Sequence, residues 1–391
     1  MIRYFSADYV FPVCCEPLKN GIVALKEDGE IEALYSAEAA KSIIEPIVHH
    51  EGAIVPGFVN THCHLELSHM RAKVPRGGGL IPFISSVIFE RSVDEELIVT
   101  AMREFDQHMY DNGIVAVADI SNQEISKKIK LNSRIYYHTF VELLGFNPEQ
   151  AEIAFNKALN LKAEFAPLAS SLAPHAPYSV STDLFGYLRD YSERHENLCS
   201  MHNQESQSEN DLFINKSGEF PEFYKLLDIN IDHFKPKFKS SIQYLLPLFS
   251  TKQKLLLVHN TYTNSNDIQS VRDSDKNIYW CFCPNANLYI ENKLPDIDLF
   301  LSNNSNITLG TDSLASNDKL CILSELKAIK KHFPHIPFRQ TLRWATLGGA
   351  EFLGIDKQFG SIEKGKKPGL NLISGMTGAE IGVNSTLRKL V

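Results

Sequence analysis

The chain has 391 residues, 43% hydrophobic and 22% charged, with a net charge of −8. That is ample for a globular core, and the only basic runs, SKKIK (126–130) and KGKK (364–367), read as solvated faces or turns, so nucleic-acid binding as the main role is disfavoured. No run approaches the roughly 20 apolar residues that span a bilayer. The stretch MIRYFSADYVFPVCC lacks the apolar centre of a secretory signal, and seven scattered cysteines make no disulfide framework. The expectation is a cytoplasmic protein with reduced thiols and neither membrane nor nucleic acid as a partner.

In chain order, residues 1–55 show short alternating strands, with Asp28-Gly29 in GIVALKEDGEIEAL marking a hairpin. A unit then recurs: a short β-branched apolar run, a polar residue, and an amphipathic stretch. Eight runs fit it, namely 57–64, 113–121, 134–145, 169–177, 198–206, 254–262, 278–287 and 306–313. Helical periodicity falls between them, as at 94–111, 182–196 and 319–332. Strands alternating with helices imply right-handed βαβ units and a parallel sheet, and eight of them suggest closure. The expected class is α/β, a (β/α)8 TIM-type barrel over 56–355 with a small β-sandwich domain built from both chain termini, 1–55 and 356–391. The connection 207–253 exceeds a usual loop and is a candidate lid.

Almost every run ends in a polar or titratable side chain: His62 and His64, Asp119, Glu142, His175, His202, His259, Asn285 and Asp312. In a barrel such positions share the rim where active sites are built. A single histidine there is more often a core or cap residue; five at the ends of four strands are hard to assign to packing. In NTHCHLELSH (60–69), strand alternation would turn His62 and His64 to one face and Cys63 to the other. With His202 and Asp312 they make three imidazoles and a carboxylate. That set suits one divalent ion, zinc best, with iron or manganese as alternatives and room for a water.

Glu205 is placed either to shuttle a proton beside such a water or to favour a helix N-terminus. His259 is placed to bond the water or a developing oxyanion, or else is a satisfied buried histidine. Glu142 at its strand end, and Glu66 and His69 beside the paired histidines, are candidate substrate contacts. RGGG (76–79) lacks the ending of a phosphate loop, and Cys281 and Cys283 read as core thiols.

Six ordered motifs, VPGFVNTHCH, SLAPHAPYS, MHNQES, LVHN, CPNANL and LGTDSLASN, resemble the aminohydrolase branch of the amidohydrolase superfamily, nearly end to end. The resemblance implies that His62, His64, His202 and Asp312 bind one metal, that Glu205 is the proton shuttle, that His259 orients the water and that His175 contacts substrate. Dinuclear members carry a lysine at the end of strand four; ASSLAPHAP has none, which implies a mononuclear site. Asn285 stands where many relatives have serine.

The implied activity is metal-dependent hydrolytic deamination of an aminated heterocycle, a purine nucleoside-like small molecule. Metal-bound hydroxide would attack, Asp312 would accept the water proton, and Glu205 would protonate the ring nitrogen before ammonia leaves. HLELS resembles the aminodeoxyfutalosine deaminases. The alternatives are a cyclic amide or C–N hydrolase such as an imidazolonepropionase-like enzyme, or a catalytically silent metal-binding homologue. Barrels of this kind often pair, so a homodimer is a compatible assembly.

Overall fold

The computed structural model describes residues 2–391. Five strands open the chain: β1 (Ile2–Val10), β2 (Leu18–Lys19), β3 (Ile22–Lys26), β4 (Ile31–Tyr35) and β5 (Ile47–Pro56). Eight follow, each ahead of one or more helices: β6 (Phe58–Cys63), β7 (Ile114–Ser121), β8 (Tyr136–Leu143), β9 (Ala169–Pro174), β10 (Cys199–Asn203), β11 (Lys254–His259), β12 (Asn277–Phe282) and β13 (Asn306–Leu309). Near the other end, β14 (Leu370–Ser374) and β15 (Thr386–Lys389) return to the first group. The two groups join as one seven-stranded sheet, ordered β15-β14-β5-β1-β3-β4 with β2 beside β1. Apolar clusters form around Phe5, Val23 and Leu25 and around Tyr4, Ile22 and Ala24, residues that alternation sends to opposite faces.

The eight middle strands form the barrel as two parallel halves, β6-β7-β8-β9 and β10-β11-β12-β13. Their sequences are near-continuous apolar runs because both faces are covered. Val59, Ala118, Phe140, Leu256, Val258 and Cys281 meet across the barrel, while the larger cluster packs the surrounding helices. The helix Glu95–Asp111 shows why the segments between strands coil. Asp94 caps it by accepting from the Glu96 N–H, Ile98, Met102, Phe105 and Met109 line its buried face, and Gly113 at φ +78° ends the turn beyond it.

At the rim the halves are tied at two seams. His202 N–H donates to the His175 carbonyl (3.0 Å), and the Thr311 and Asp312 N–H groups both donate to the His62 carbonyl (3.0 Å each). The residues that close the barrel are therefore those the motifs single out. A buried ion pair stiffens the chain near His64. Lys130 Nζ meets Asp119 Oδ2 at 2.7 Å with neither side chain exposed, and also donates to Ser121 Oγ and Thr139 Oγ1. Asp119 Oδ1 accepts the N–H of Leu65, fixing the chain immediately after His64.

The connection 207–253 carries the helices Gln207–Asn215, Phe220–Leu226 and Ser241–Leu245. Its Phe223, Tyr224, Leu227 and Ile229 face a cavity at the rim. Among the described residues no helix is long and apolar enough to cross a membrane. All seven cysteines are free, five buried and Cys14 and Cys15 exposed.

Two substitutions test this frame. Lys130→Met leaves Asp119 charged and unpaired in the core and should lower unfolding stability by about 3–5 kcal/mol, read from the denaturant midpoint. Gly113→Ala places a Cβ 2.3 Å from Asn371 Nδ2, which donates to the Gly113 carbonyl and joins barrel to sheet. With the positive φ, that should cost roughly 1–3 kcal/mol in the same measurement.

Candidate metal centre and active-site cavity

The site is assembled from strand ends. His62 and His64 come from the end of β6, His202 from β10 and Asp312 from the turn after β13. His64 Nε2 lies 3.2 Å from His62 Nε2 and 3.3 Å from His202 Nε2, and Asp312 Oδ1 is 3.5 Å from both His62 Nε2 and His64 Nε2. Donors held about 2.1 Å from one tetrahedral ion stand about 3.4 Å apart. The four separations match that spacing, and all four donors lie within 4.8 Å of one another, so the group fits one such ion. Cys63 lies outside the group, in the apolar core.

The surrounding bonds orient the donors. His202 Nδ1 donates to the His175 carbonyl at 2.7 Å, so its free lone pair is on Nε2, toward the other donors. Ser316 Oγ donates to Asp312 Oδ2 at 2.5 Å and leaves Oδ1 for the ion. Burial, with His62 next, lowers the His64 imidazole to about 4, and burial takes His202 well below its ordinary value. Burial alone would raise Asp312, but the His62 hydrogen bond and the His64 and His259 rings outweigh it and hold the carboxyl well below the usual range. Neutral imidazoles and an ionised carboxylate are the protonation states a cation needs. Glu142, His175 and His202 also converge. His202 has one nitrogen to give, however, so this second trio cannot be filled beside the first.

Two further titratable groups face the centre. Glu205 Oε1 lies 3.6 Å from His259 Nε2, both buried. Burial, then the charges of Asp312, Glu209 and Glu291, push the Glu205 carboxyl well above its usual range. Burial lowers His259 to about 4. Its Nδ1–H donates to Asn287 Oδ1 (2.8 Å), and Asn287 Nδ2 donates back to the His259 carbonyl (3.3 Å). That fixes a neutral ring with an acceptor Nε2 at the cavity floor. His259, Asn260, Asp312 and Gln204 all have positive φ (73°, 59°, 56° and 46°), a cluster of strained backbone at the rim.

The cavity above measures about 310 Å³. His64, His202, Glu205, His259 and Asp312 form its floor. Glu66, Glu142, Asn122 and His175 form a polar belt, and Leu80, Phe83, Ile84 and Val87 of the helix Leu80–Glu90 form an apolar wall. Glu66 accepts the Asn122 N–H and is pushed up to about 7 by burial; Glu142 accepts from Asn122 Nδ2 and leaves Oε1 without a partner. His175 Nδ1 pairs with Ser179 Oγ (2.7 Å).

His69, a candidate substrate contact in the sequence, is outside the cavity wall. Its Nδ1 lies 3.1 Å from the Glu66 carbonyl and its Nε2 2.9 Å from the Arg91 carbonyl, so its N–H serves one of the two and the ring fills the space between the turn carrying Glu66 and the end of the helix Leu80–Glu90. Asn285 likewise turns away and bonds Glu325. Asn287, Ser316 and Asn122 were not singled out in the sequence. Asn287 sits inside CPNANL and Ser316 inside LGTDSLASN, so the motifs contained both, but only the fold shows what they touch.

Comparison with known proteins places the chain. Residues 53–389 match the model of the Amidohydrolase family. An aminodeoxyfutalosine deaminase of a Nitratiruptor species is 27% identical over 376 residues, covering 91% of this chain and 89% of the relative. Among solved structures, Helicobacter pylori aminofutalosine deaminase in complex with methylthio-coformycin superposes with a TM-score of 0.77 at 23% identity, covering 96% of this chain and 93% of the other. An adenosine deaminase from Xanthomonas campestris with bound zinc gives 0.75 at 21% identity, covering 95% and 84%. The chain belongs to the amidohydrolase family, whose fold it shares along nearly its whole length.

Proposed function

We propose that the protein is a metal-dependent hydrolytic deaminase of a purine nucleoside-like substrate. One observation carries the reading: the Glu205–His259 pair, 3.6 Å apart, stands beside a four-donor group, and both line one cavity at the rim. One divalent ion, zinc by its donor set, would be held by His62, His64, His202 and Asp312 and would supply Lewis-acid activation of water. Three nitrogens and one carboxylate favour zinc over the all-oxygen preferences of magnesium or calcium.

The chain's own groups do the rest. His259, neutral with an acceptor Nε2, orients an O–H of the attacking water, and ionised Asp312 accepts its proton. Burial, with the charges of Asp312, Glu209 and Glu291, raises the Glu205 carboxyl well above its usual range and so favours its proton-bearing form. Glu205 delivers that proton to the ring nitrogen beside the amino-bearing carbon, and the proton taken up by Asp312 passes to the amino group, which leaves as ammonia. His175 and the Glu66–Glu142 belt are placed to take up the hydroxyl and ring donors of a sugar-linked heterocycle. The apolar wall suits a flat ring and an apolar appendage and excludes water from the reacting end. The names borne by the relatives, deaminases of aminodeoxyfutalosine and adenosine, support the same substrate class.

Ammonia release from adenosine and 5′-substituted adenosines tests the reading. Turnover on at least one, abolished by a chelator and restored by zinc, is expected. A cyclic amide opened without ammonia would transfer the reading to the imidazolonepropionase-like class. Glu205→Gln should keep one equivalent of metal while kcat falls by about 10²- to 10⁴-fold, measured by metal analysis beside steady-state kinetics. Normal turnover in that variant would remove Glu205 from the reaction.

A further inference from the structure

The turn that carries Glu205 is held by a side chain outside the cavity wall. Strand β10 ends at Asn203, and Gln204 takes φ +46°, a left-handed conformation uncommon for a residue with a Cβ. The reversal brings Glu205 Oε1 to 3.6 Å from His259 Nε2. It also removes the N–H groups of Gln204 and Glu205 from the strand ladder before the helix Gln207–Asn215 begins. Both residues are buried, so each N–H needs an acceptor.

One side chain supplies both. Gln204 N–H donates to Glu209 Oε1 at 2.9 Å, and Glu205 N–H donates to Glu209 Oε2 at 3.3 Å. Glu209 is fully buried. The sequence Ser206-Gln207-Ser208-Glu209 reads as a capping box, and half of the box is present: Glu209 N–H donates to Ser206 Oγ at 3.2 Å. The other half is diverted. In place of the Ser206 N–H, the glutamate reaches back to the two residues that turn Glu205 toward the centre. A helix cap alone would not need this, since Ser206 already starts the helix.

We infer that Glu209 is a positioning residue for Glu205, its two carboxylate oxygens fixing the Gln204–Glu205 turn so that the Glu205 carboxyl faces the reacting end of the cavity. This rests on the proton-transfer role of Glu205 proposed above. Displacement of a reacting group by about 1 Å can cost about 10²-fold in rate, so a clamp on its own backbone is worth that order of turnover.

Glu209→Gln tests it, since the amide keeps one acceptor oxygen and turns an NH2 toward the other N–H. In the metal-loaded protein, kcat should fall by about 10- to 100-fold with KM within about twofold and one metal equivalent retained. Deuterium uptake in a peptide spanning 203–206 should accelerate, read by mass spectrometry. Wild-type kcat, a loss carried by KM or by metal, or unchanged uptake would overturn the inference. Should Glu209→Gln not fold, Glu209→Asp carries the test: it keeps the charge but is one methylene too short to reach both N–H groups, and wild-type kcat there overturns the inference equally. If the wild type deaminates no nucleoside, the functional reading fails, while the uptake comparison still decides the role of Glu209.

Discussion

Four donor atoms from three strand ends lie within 4.8 Å of one another in the rim of the barrel, with His64 Nε2 3.2 to 3.5 Å from each of the other three. Ring nitrogens and a carboxylate oxygen gathered so closely are the donor set that a divalent cation takes. Much of the surrounding structure serves this arrangement. The His175 carbonyl fixes the His202 ring, Ser316 occupies the outer oxygen of Asp312, and the Lys130–Asp119 pair anchors the chain after His64. Each of these bonds sets an orientation as well as an energy, because the ring nitrogen that faces the centre is decided by the partner of the other nitrogen.

The same residues close the barrel. The two four-stranded halves meet at β9–β10 and at β13–β6, and the rim bonds at those seams run through His175, His202, His62 and Asp312. Fold and site are therefore coupled: a shift in either seam moves a donor by a comparable amount. The positive φ values at Gln204, His259, Asn260 and Asp312 lie on the turns that leave the strands at this rim, where the chain must reverse sharply and still present a side chain inward. Hydrogen bonds from buried neighbours such as Asn287 and Glu209 hold these turns in place.

Much of this was legible in the sequence because it depends on local pattern. Eight apolar runs, each ending in a polar residue, map onto eight strands, and the amphipathic segment at 94–111 maps onto a helix capped by Asp94. The spacing of His62 and His64, with Cys63 between them, was readable from alternation alone. What was not legible depends on distance across the fold. His69 lies in the most informative decapeptide of the chain, yet its ring nitrogens face the carbonyls of Glu66 and Arg91, and the second is set by how a helix 22 residues away docks. Asn285 and Asn287 are two residues apart in one motif. A helix starting at Pro284 turns the first to Glu325 and the second to His259, a distinction of rotation that no composition or spacing carries.

Glu209 shows a third kind of limit. Its local pattern was readable and would have been read as a helix cap, which is half right. A carboxylate at the third position of a helix has a choice between the N–H of its own cap residue and any unsatisfied N–H within reach. The left-handed turn at Gln204 creates two such groups within reach, and satisfying two buried donors outweighs closing one partly satisfied box. The choice follows from the turn, and the same turn brings Glu205 Oε1 to 3.6 Å from His259 Nε2. A side chain outside the cavity wall thus takes its conformation from a turn that also lines the cavity, and the visible sign is a cap that the local sequence specifies and the fold leaves half made.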